Sequence, residues 1–331
     1  MNDRLKHLEG EIESGDKSKS FEASRKEENK DAMSAGLVVA LAILCCALWG
    51  SAVPFVRLGY KQLGITVSDS ASQLIFAGIR FFFAGVAVYL YYAIANKDKK
   101  ISAKDMSYAG RLSAFQTVGQ YIFYYLGLAW ATGVNGSIIQ GVGVFVAVIM
   151  SCAIFRIEEF TSRKIFGCIL GFGGLLLASG AGKINAGFSL RGEGLMLIGT
   201  ISSAYAAIQI RKFTQEMNPF KLCGLQFMIG GLVLGLVGVV LGGHVQVTSL
   251  PQLLIVLWLI VVSSVAYGLW SMLLRDNDVS RILVYMFLTP IFGVLFSLAI
   301  LGSEGATIGI HTLAGLVLIS LGIIAVQKKK A

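Results

Sequence analysis

Placing a guanidinium inside hydrocarbon costs roughly 2.5–3.5 kcal/mol on insertion scales, so an arginine there must face protein or water. Arg80 is such a residue: it lies deep in the apolar stretch 70–94, which holds no other charge. Two chemistries fit it. It could pair with the carboxylate or phosphate of a solute, or it could be structural, bonded to helix carbonyls or to an amide such as Gln73. No carboxylate lies within an apolar stretch to neutralise it, and the structural role is the expectation. Other polar and aromatic residues recur at helical spacing. Gln116, Gln120 and Tyr124 follow at four-residue steps and so share a face; Ser202, Tyr205 and Gln209 do likewise. Ser263, Tyr267, Trp270 and Ser271 fall within roughly a quarter turn of one another. Facing lipid, such groups would leave hydrogen bonds unmade, so they point inward. There they either line a cavity or join helices by hydrogen bonds. Ser137 and Gln140, with Tyr285 and Thr289, extend the set. Gln120, Tyr124 and Tyr267 are the foremost cavity candidates.

Pro54 and Pro290 stand inside apolar stretches. Each removes an amide donor and frees the carbonyl four residues back, at Gly50 and Met286. Such kinks act as gates or are static bends, and static bends are the expectation. Catalytic parts are missing. His7 lies in the polar front tail, His244 and His311 lie near the ends of apolar stretches, and no stretch holds a lysine away from its ends, an aspartate pair or a histidine–carboxylate cluster. Hydrolytic and metal chemistry therefore lack their groups, and no catalytic residue, metal or cofactor is expected. Gly182-Lys183 lacks the earlier glycine and the following Ser or Thr of a phosphate loop, so ATP is not the expected driving force. Cys45, Cys46, Cys152, Cys168 and Cys223 read as small packing residues, not as a disulfide framework.

The elements that must carry these residues follow from composition. Of the 331 residues, 55% are hydrophobic and 14% charged, more apolar surface than one soluble core could bury. Ten apolar stretches run at about 35–57, 70–94, 107–130, 134–155, 163–180, 193–212, 219–243, 251–274, 280–301 and 308–327. Each is near the ~20 residues that cross a bilayer as a helix. With the N-terminus in the cytoplasm, 23 of the 28 Lys and Arg residues fall on the inner side and only Arg57, Lys61, Lys183 and Arg191 on the outer. That asymmetry sets orientation and puts both termini in the cytoplasm. The net charge of +9 is thus an orientation signal, and nucleic acid is not an expected partner; the lipid bilayer and a small-molecule substrate are. Residues 1–33 form a polar cytoplasmic tail, expected to be disordered.

The stretches repeat. Glu158 is followed by Gly167 and Gly174, and Glu304 by Gly315 and Gly322, with seven residues between the glycines in both cases. Tyr121 and Tyr124 have a counterpart in Tyr267. The halves are 34–180 and 192–327. Five is odd, so if the first half begins inside, the second begins outside. The expected fold is an all-α membrane protein of ten transmembrane helices in two inverted five-helix repeats, an architecture that supports alternating access around a central site. Gly167 with Gly171, Gly231 with Gly235, and Gly238 with Gly242 are expected to bring helices close together.

Several motifs carry a resemblance. Trp49-Gly50-Ser51-Ala52-Val53-Pro54, Arg80-Phe81, Tyr124-Tyr125-Leu126-Gly127-Leu128-Ala129, Glu158 with Gly167, and Leu301-Gly302-Ser303-Glu304 after Pro290 together resemble the drug/metabolite transporter superfamily, nearest to its EamA-domain branch. The resemblance covers about 34–327. It implies export of small metabolites, with amino acids and related compounds the usual suggestion. The sequence departs from the pattern in lacking a proline in the fourth stretch equivalent to Pro290, and in having Tyr205 where Trp is frequent, which leaves the substrate open. The expected location is the bacterial inner (plasma) membrane. A proton- or substrate-coupled exchanger and a membrane receptor or scaffold are the alternatives. All 19 acidic residues can be placed outside the membrane centre: nine in the tail, Asp98, Asp105, Glu158, Glu159, Glu216, Asp276 and Asp278 on the inner side, and Asp69, Glu193 and Glu304 at the outer edge. Downhill facilitation is therefore expected over proton coupling, unless Glu193 or Glu304 reaches inward.

Overall fold

A chain crossing hydrocarbon must satisfy its backbone polar groups internally, and a helix does so within one segment. The computed structural model describes residues 33–96, 100–128, 130, 133–178, 189–302 and 309–327, and these are helical with no strand among them. The α-helices are α1 (Ala35–Leu63), α2 (Ser70–Asn96), α3 (Ala103–Ser113), α4 (Gln120–Leu128), α5 (Gly133–Ile149), α6 (Ser162–Ala178), α7 (Leu195–Phe213), α8 (Pro219–Val240), α9 (Leu250–Asp276), α10 (Val279–Leu283), α11 (Thr289–Leu301) and α12 (Ile310–Gln327). Wider π-turns at Ala114–Gly119, Met150–Ile154 and Leu190–Gly194 join or extend them, and a 3₁₀ turn at Val284–Leu288 links α10 to α11. Six helical runs are long and apolar enough to cross a membrane: α1, α2, α8, α9, Val279–Leu301 and α12. Shorter apolar helices accompany them, such as Ile138–Ile154. The tail, Lys183 and Glu304 lie outside the described residues.

Local signals account for most ends. Asn218 caps α8 with its side chain, and Pro219 follows at the first turn, where no amide is needed. At the other end Gly242 has φ +84°, and the amides of Gly242 and Gly243 return to the carbonyls of Val239 and Gly238. Gly242 thus closes the helix and, contrary to the expected pairing with Gly238, does not pack it. Asn135-Gly136, expected as a turn, lies within the first turn of α5.

The most extensive helix contacts are α2 with α8 and α6 with α12. Both are antiparallel, and both rest on glycines that face each other. A methyl at Gly78 would stand 2.6 Å from the Gly235 nitrogen, and one at Gly85 would stand 2.7 Å from the Gly224 carbonyl. A methyl at Gly174 would lie 2.6 Å from the Gly315 carbonyl, and one at Gly315 2.5 Å from that of Gly174. Gly167 and Gly322 oppose each other in the same reciprocal way. Gly171 instead receives the ring of Phe287. The outer faces are apolar: α2 exposes Phe83, Leu90 and Ile94, and α8 exposes Leu232, Leu236 and Val239. Side chains of this kind in such density suit lipid, not water.

Candidate functional site

Aromatic rings from both halves converge on one cluster. Arg80 of α2 lies over the Phe81 ring, with the guanidinium carbon 4.3 Å from its centre, and 5.8 Å from the centre of the Tyr121 ring. Phe81 meets Tyr121 at 4.7 Å and Phe227 at 4.8 Å, and Phe227 meets Tyr267 at 4.8 Å. From α1, Trp49 sets its ring 5.1 Å from Tyr267 and 4.9 Å from Trp270. The hydroxyls of Tyr121 and Tyr267 are 3.0 Å apart, a direct hydrogen bond between the two halves.

The π-turn decides which tyrosine reaches that partner. Residues 114–119 wind more widely than an α-helix, so four-residue steps stop marking one face as they cross it. Gln116 therefore sits buried within the turn. Tyr121, not Tyr124, bonds Tyr267, while Tyr124 packs on Tyr125 at 6.1 Å and interacts with Gln140 of α5. Gln120, Tyr124 and Tyr267 are all half-buried. Ser202 donates to the Phe115 carbonyl at 2.8 Å, and Tyr205 is held between the rings of Phe115 and Phe155. These two fasten α7 to the π-turns.

Pro290 acts differently from the free-carbonyl expectation. The chain tightens to a 3₁₀ turn before it, and the Thr289 amide donates to the Met286 carbonyl, which is not left free. Pro54 is buried inside α1, which continues as helix on both sides of it. Cys45 and Cys46 are buried, the Cys46 thiol donating to the Tyr285 carbonyl at 3.2 Å.

Arg80 lacks the structural partners expected for it. The Gln73 amide donates instead to the carbonyls of Thr66 and Val67, at 2.8 and 3.1 Å. Among the described residues Arg80 has no ion pair and no hydrogen bond, its Nε is buried without a partner, and the residue is only 7% exposed. Other buried polar atoms are also unsatisfied: Trp49 Nε1, Tyr60 Oη, Gln209 Oε1, Gln226 Nε2 and Tyr285 Oη. Gln73 Oε1, Ser113 Oγ and Thr289 Oγ1 are unsatisfied as well. Sequence reasoning passed over Gln226, which accepts from Thr117 at 2.8 Å. Its signal was available, as the one amide in the apolar stretch 219–243. A shallow surface depression of about 380 Å³, lined by Thr214–Asn218 with Arg275 and Asp276, holds none of the candidates.

Ionic clusters tie the halves together elsewhere. The Glu158 carboxylate accepts from the Lys164 ammonium at 2.8 Å, from the Ser280 amide at 3.2 Å and from the Ser280 hydroxyl; Asp278 lies 3.7 Å from the same ammonium. Lys164 and Glu158 are almost fully buried, with side chains 8% and 2% exposed. Lys221 pairs with Asp105 at 2.9 Å, and Lys104 pairs with Glu216. Hydrogen bonds from Lys104 and Tyr108 hold the Glu216 carboxyl below its ordinary range. Glu193 turns back to accept from the Ser189 amide at 3.0 Å.

The comparisons agree with this architecture. The family model of the EamA-like transporter family matches twice, over residues 36–180 and 190–327. Two proteins of Archaeoglobus fulgidus, each known as an uncharacterized transporter, are 25% and 26% identical to the chain. The first match covers 85% of this chain and 96% of the relative; the second covers 90% and 100%. A Bacillus subtilis transporter, likewise uncharacterized, is 22% identical over 73% of this chain and 79% of its own. A solved crystal structure superposes with a TM-score of 0.71 at 16% identity, over 89% of this chain and 97% of the other, a likeness of fold alone.

Proposed function

This chain belongs to the EamA-like transporter family and is an integral membrane carrier of small molecules, and from that premise we propose that it exports small polar or amphipathic metabolites, amino acids and their relatives among them, by alternating access. The proposed fold is ten transmembrane helices in two inverted five-helix repeats, 34–180 and 192–327. The antiparallel pairing of corresponding stretches supports it: the second meets the seventh as α2 with α8, and the fifth meets the tenth as α6 with α12. The 23-to-4 basic asymmetry supports a bacterial inner membrane with both termini cytoplasmic. Reporter fusions at each end should be active only in the cytoplasm, and an externally active reporter at either end would rule out this topology.

The observation that carries the transport site is the junction of the halves at Tyr121 and Tyr267, amid buried polar atoms without partners. Around it we place Gln120, Tyr124, Tyr267 and Trp270 as cavity lining, with Gln116, Gln140, Gln209 and Tyr285 further along the path and Tyr205 at its edge. In a variant lacking the native cysteines, single cysteines at Gln120, Tyr124 and Tyr267 should react with a small hydrophilic thiol reagent and be protected by substrate. Inertness at all three would mean that these residues only pack. Transport is downhill: the described acidic residues are held at helix ends and connectors, and Glu193 is engaged with its own turn.

A further inference from the structure

Arg80 is a fixed positive charge with no fixed negative charge to meet it. We infer that its counter-ion is the substrate itself, which carries one net negative charge, as a carboxylate, on an apolar or aromatic body. The inference rests on the transport reading above and narrows its substrate class.

The physical case starts from charge. A guanidinium stays protonated at any physiological pH, so Arg80 cannot escape its burial by losing a proton. Removing an ion from water costs several kcal/mol even after relaxation. The faces of Phe81 and Tyr121, 4.3 and 5.8 Å from the guanidinium carbon, return only part of that as cation–π contacts. No carboxylate among the described residues pairs with Arg80, and the amide nearest to hand in sequence, Gln73, turns its NH2 to two carbonyls and makes no hydrogen bond with Arg80, its own Oε1 being left without a partner. An incoming oxyanion would meet the guanidinium fork with two parallel hydrogen bonds. The Tyr121–Tyr267 pair supplies a further donor: two hydroxyl hydrogens and one mutual bond leave one O–H to give.

Charge also discriminates between candidate solutes. A zwitterion would bring an ammonium that needs an acceptor of full negative charge, and the cluster around Arg80 offers only hydroxyls, amides and ring faces. A phosphate monoester carries about −1.5 to −2 at neutral pH, leaving surplus negative charge against one arginine. A monocarboxylate balances the site. The half-buried rings of Trp49 and Tyr267 then offer flat faces to its body.

The test uses the purified full-length protein and a closely matched series: 3-phenylpropionate, phenylalanine and 3-phenylpropionamide, which differ in charge but share a body, with inorganic phosphate and chloride as further arms. Thermal-shift titration should give 3-phenylpropionate a Kd at least tenfold tighter than phenylalanine or the amide. Arg80→Gln should erase that preference, and Arg80→Lys, which keeps the charge without the fork, should retain part of it. Equal affinity across the three compounds overturns the inference, as does a preference that survives Arg80→Gln, or stabilisation by phosphate or chloride alone. If Arg80→Gln does not fold, the three compounds on the unaltered protein decide the matter. Binding is read without flux, so the two readings fail separately. A carboxylate preference in a protein that moves nothing would defeat transport and leave the site, whereas flux of neutral solutes with no carboxylate preference would defeat the site and leave transport.

Discussion

Replacing Gly231 by valine should leave little folded protein. A Cβ there would press on the Phe82 amide nitrogen and stand 2.8 Å from the Gly78 carbonyl, both backbone atoms of the opposing α2. Backbone cannot rotate aside as a side chain can, so the helices must separate along their length. Overpacking a core usually costs about 1–3 kcal/mol, and the loss here should exceed ~3 kcal/mol because α2 and α8 form the largest helix contact in the fold. Size-exclusion chromatography and thermal melting in detergent would read it. Gly173→Ala is the control, since a methyl there meets nothing within 4 Å. It should be neutral or slightly stabilising, by at most ~1 kcal/mol of helix propensity. A Gly231→Val protein that melts with the control would remove the close-packing account of the α2–α8 contact.

The second large effect is expected at Lys164. Its ammonium serves Glu158, whose side chain is only 2% exposed, and also faces Asp278. Lys164→Met leaves a buried carboxylate without its cation, and breaking a buried pair from one side costs about 3–5 kcal/mol. Glu158→Gln should be milder, because the amide still accepts from Ser280. The double change Glu158→Gln with Lys164→Met should recover at least ~1 kcal/mol relative to Lys164→Met alone, the sign of coupling between contacting residues. Melting of the four proteins of this cycle provides the measurement, and strict additivity would mean that the pair contributes independently. The exposed Lys104–Glu216 pair, with side chains 61% and 52% accessible, is the contrast: its loss should be barely measurable.

These two sites show what was legible in the sequence. Hydropathy marks the helices because a bilayer demands a nearly unbroken apolar run, and each expected stretch is helical over its described residues except for one to three at the ends of some. The glycines spaced after Glu158 and Glu304 were legible as a repeat, since two turns bring small residues to one face, but not as partners: they meet each other across the α6–α12 contact. The π-turn at 114–119 could not be read that way, because π-winding leaves no mark in a hydrophobic pattern. Nor did the pattern say which of Tyr121 and Tyr124 would bond Tyr267; it is Tyr121. For Arg80, sequence reasoning saw the cost of burial but not the engagement of Gln73 with Thr66 and Val67, which depends on how the α1–α2 connector folds. Pro290 was seen, but not the 3₁₀ turn that keeps the Met286 carbonyl occupied.

Flux in proteoliposomes tests the central claim most directly. Vesicles holding the purified protein, preloaded with labelled amino acids and organic acids, should release at least one of them faster than protein-free vesicles. Release should stop when inner and outer concentrations are equal, because a carrier with no carboxylate or histidine at the membrane centre among its described residues has no such group to couple a proton to. An imposed pH gradient should therefore add no protein-dependent accumulation. Two results would contradict this account: no solute leaving faster than from protein-free vesicles, or a pH gradient that concentrates the solute in a protein-dependent way that Glu193→Gln or Glu304→Gln abolishes.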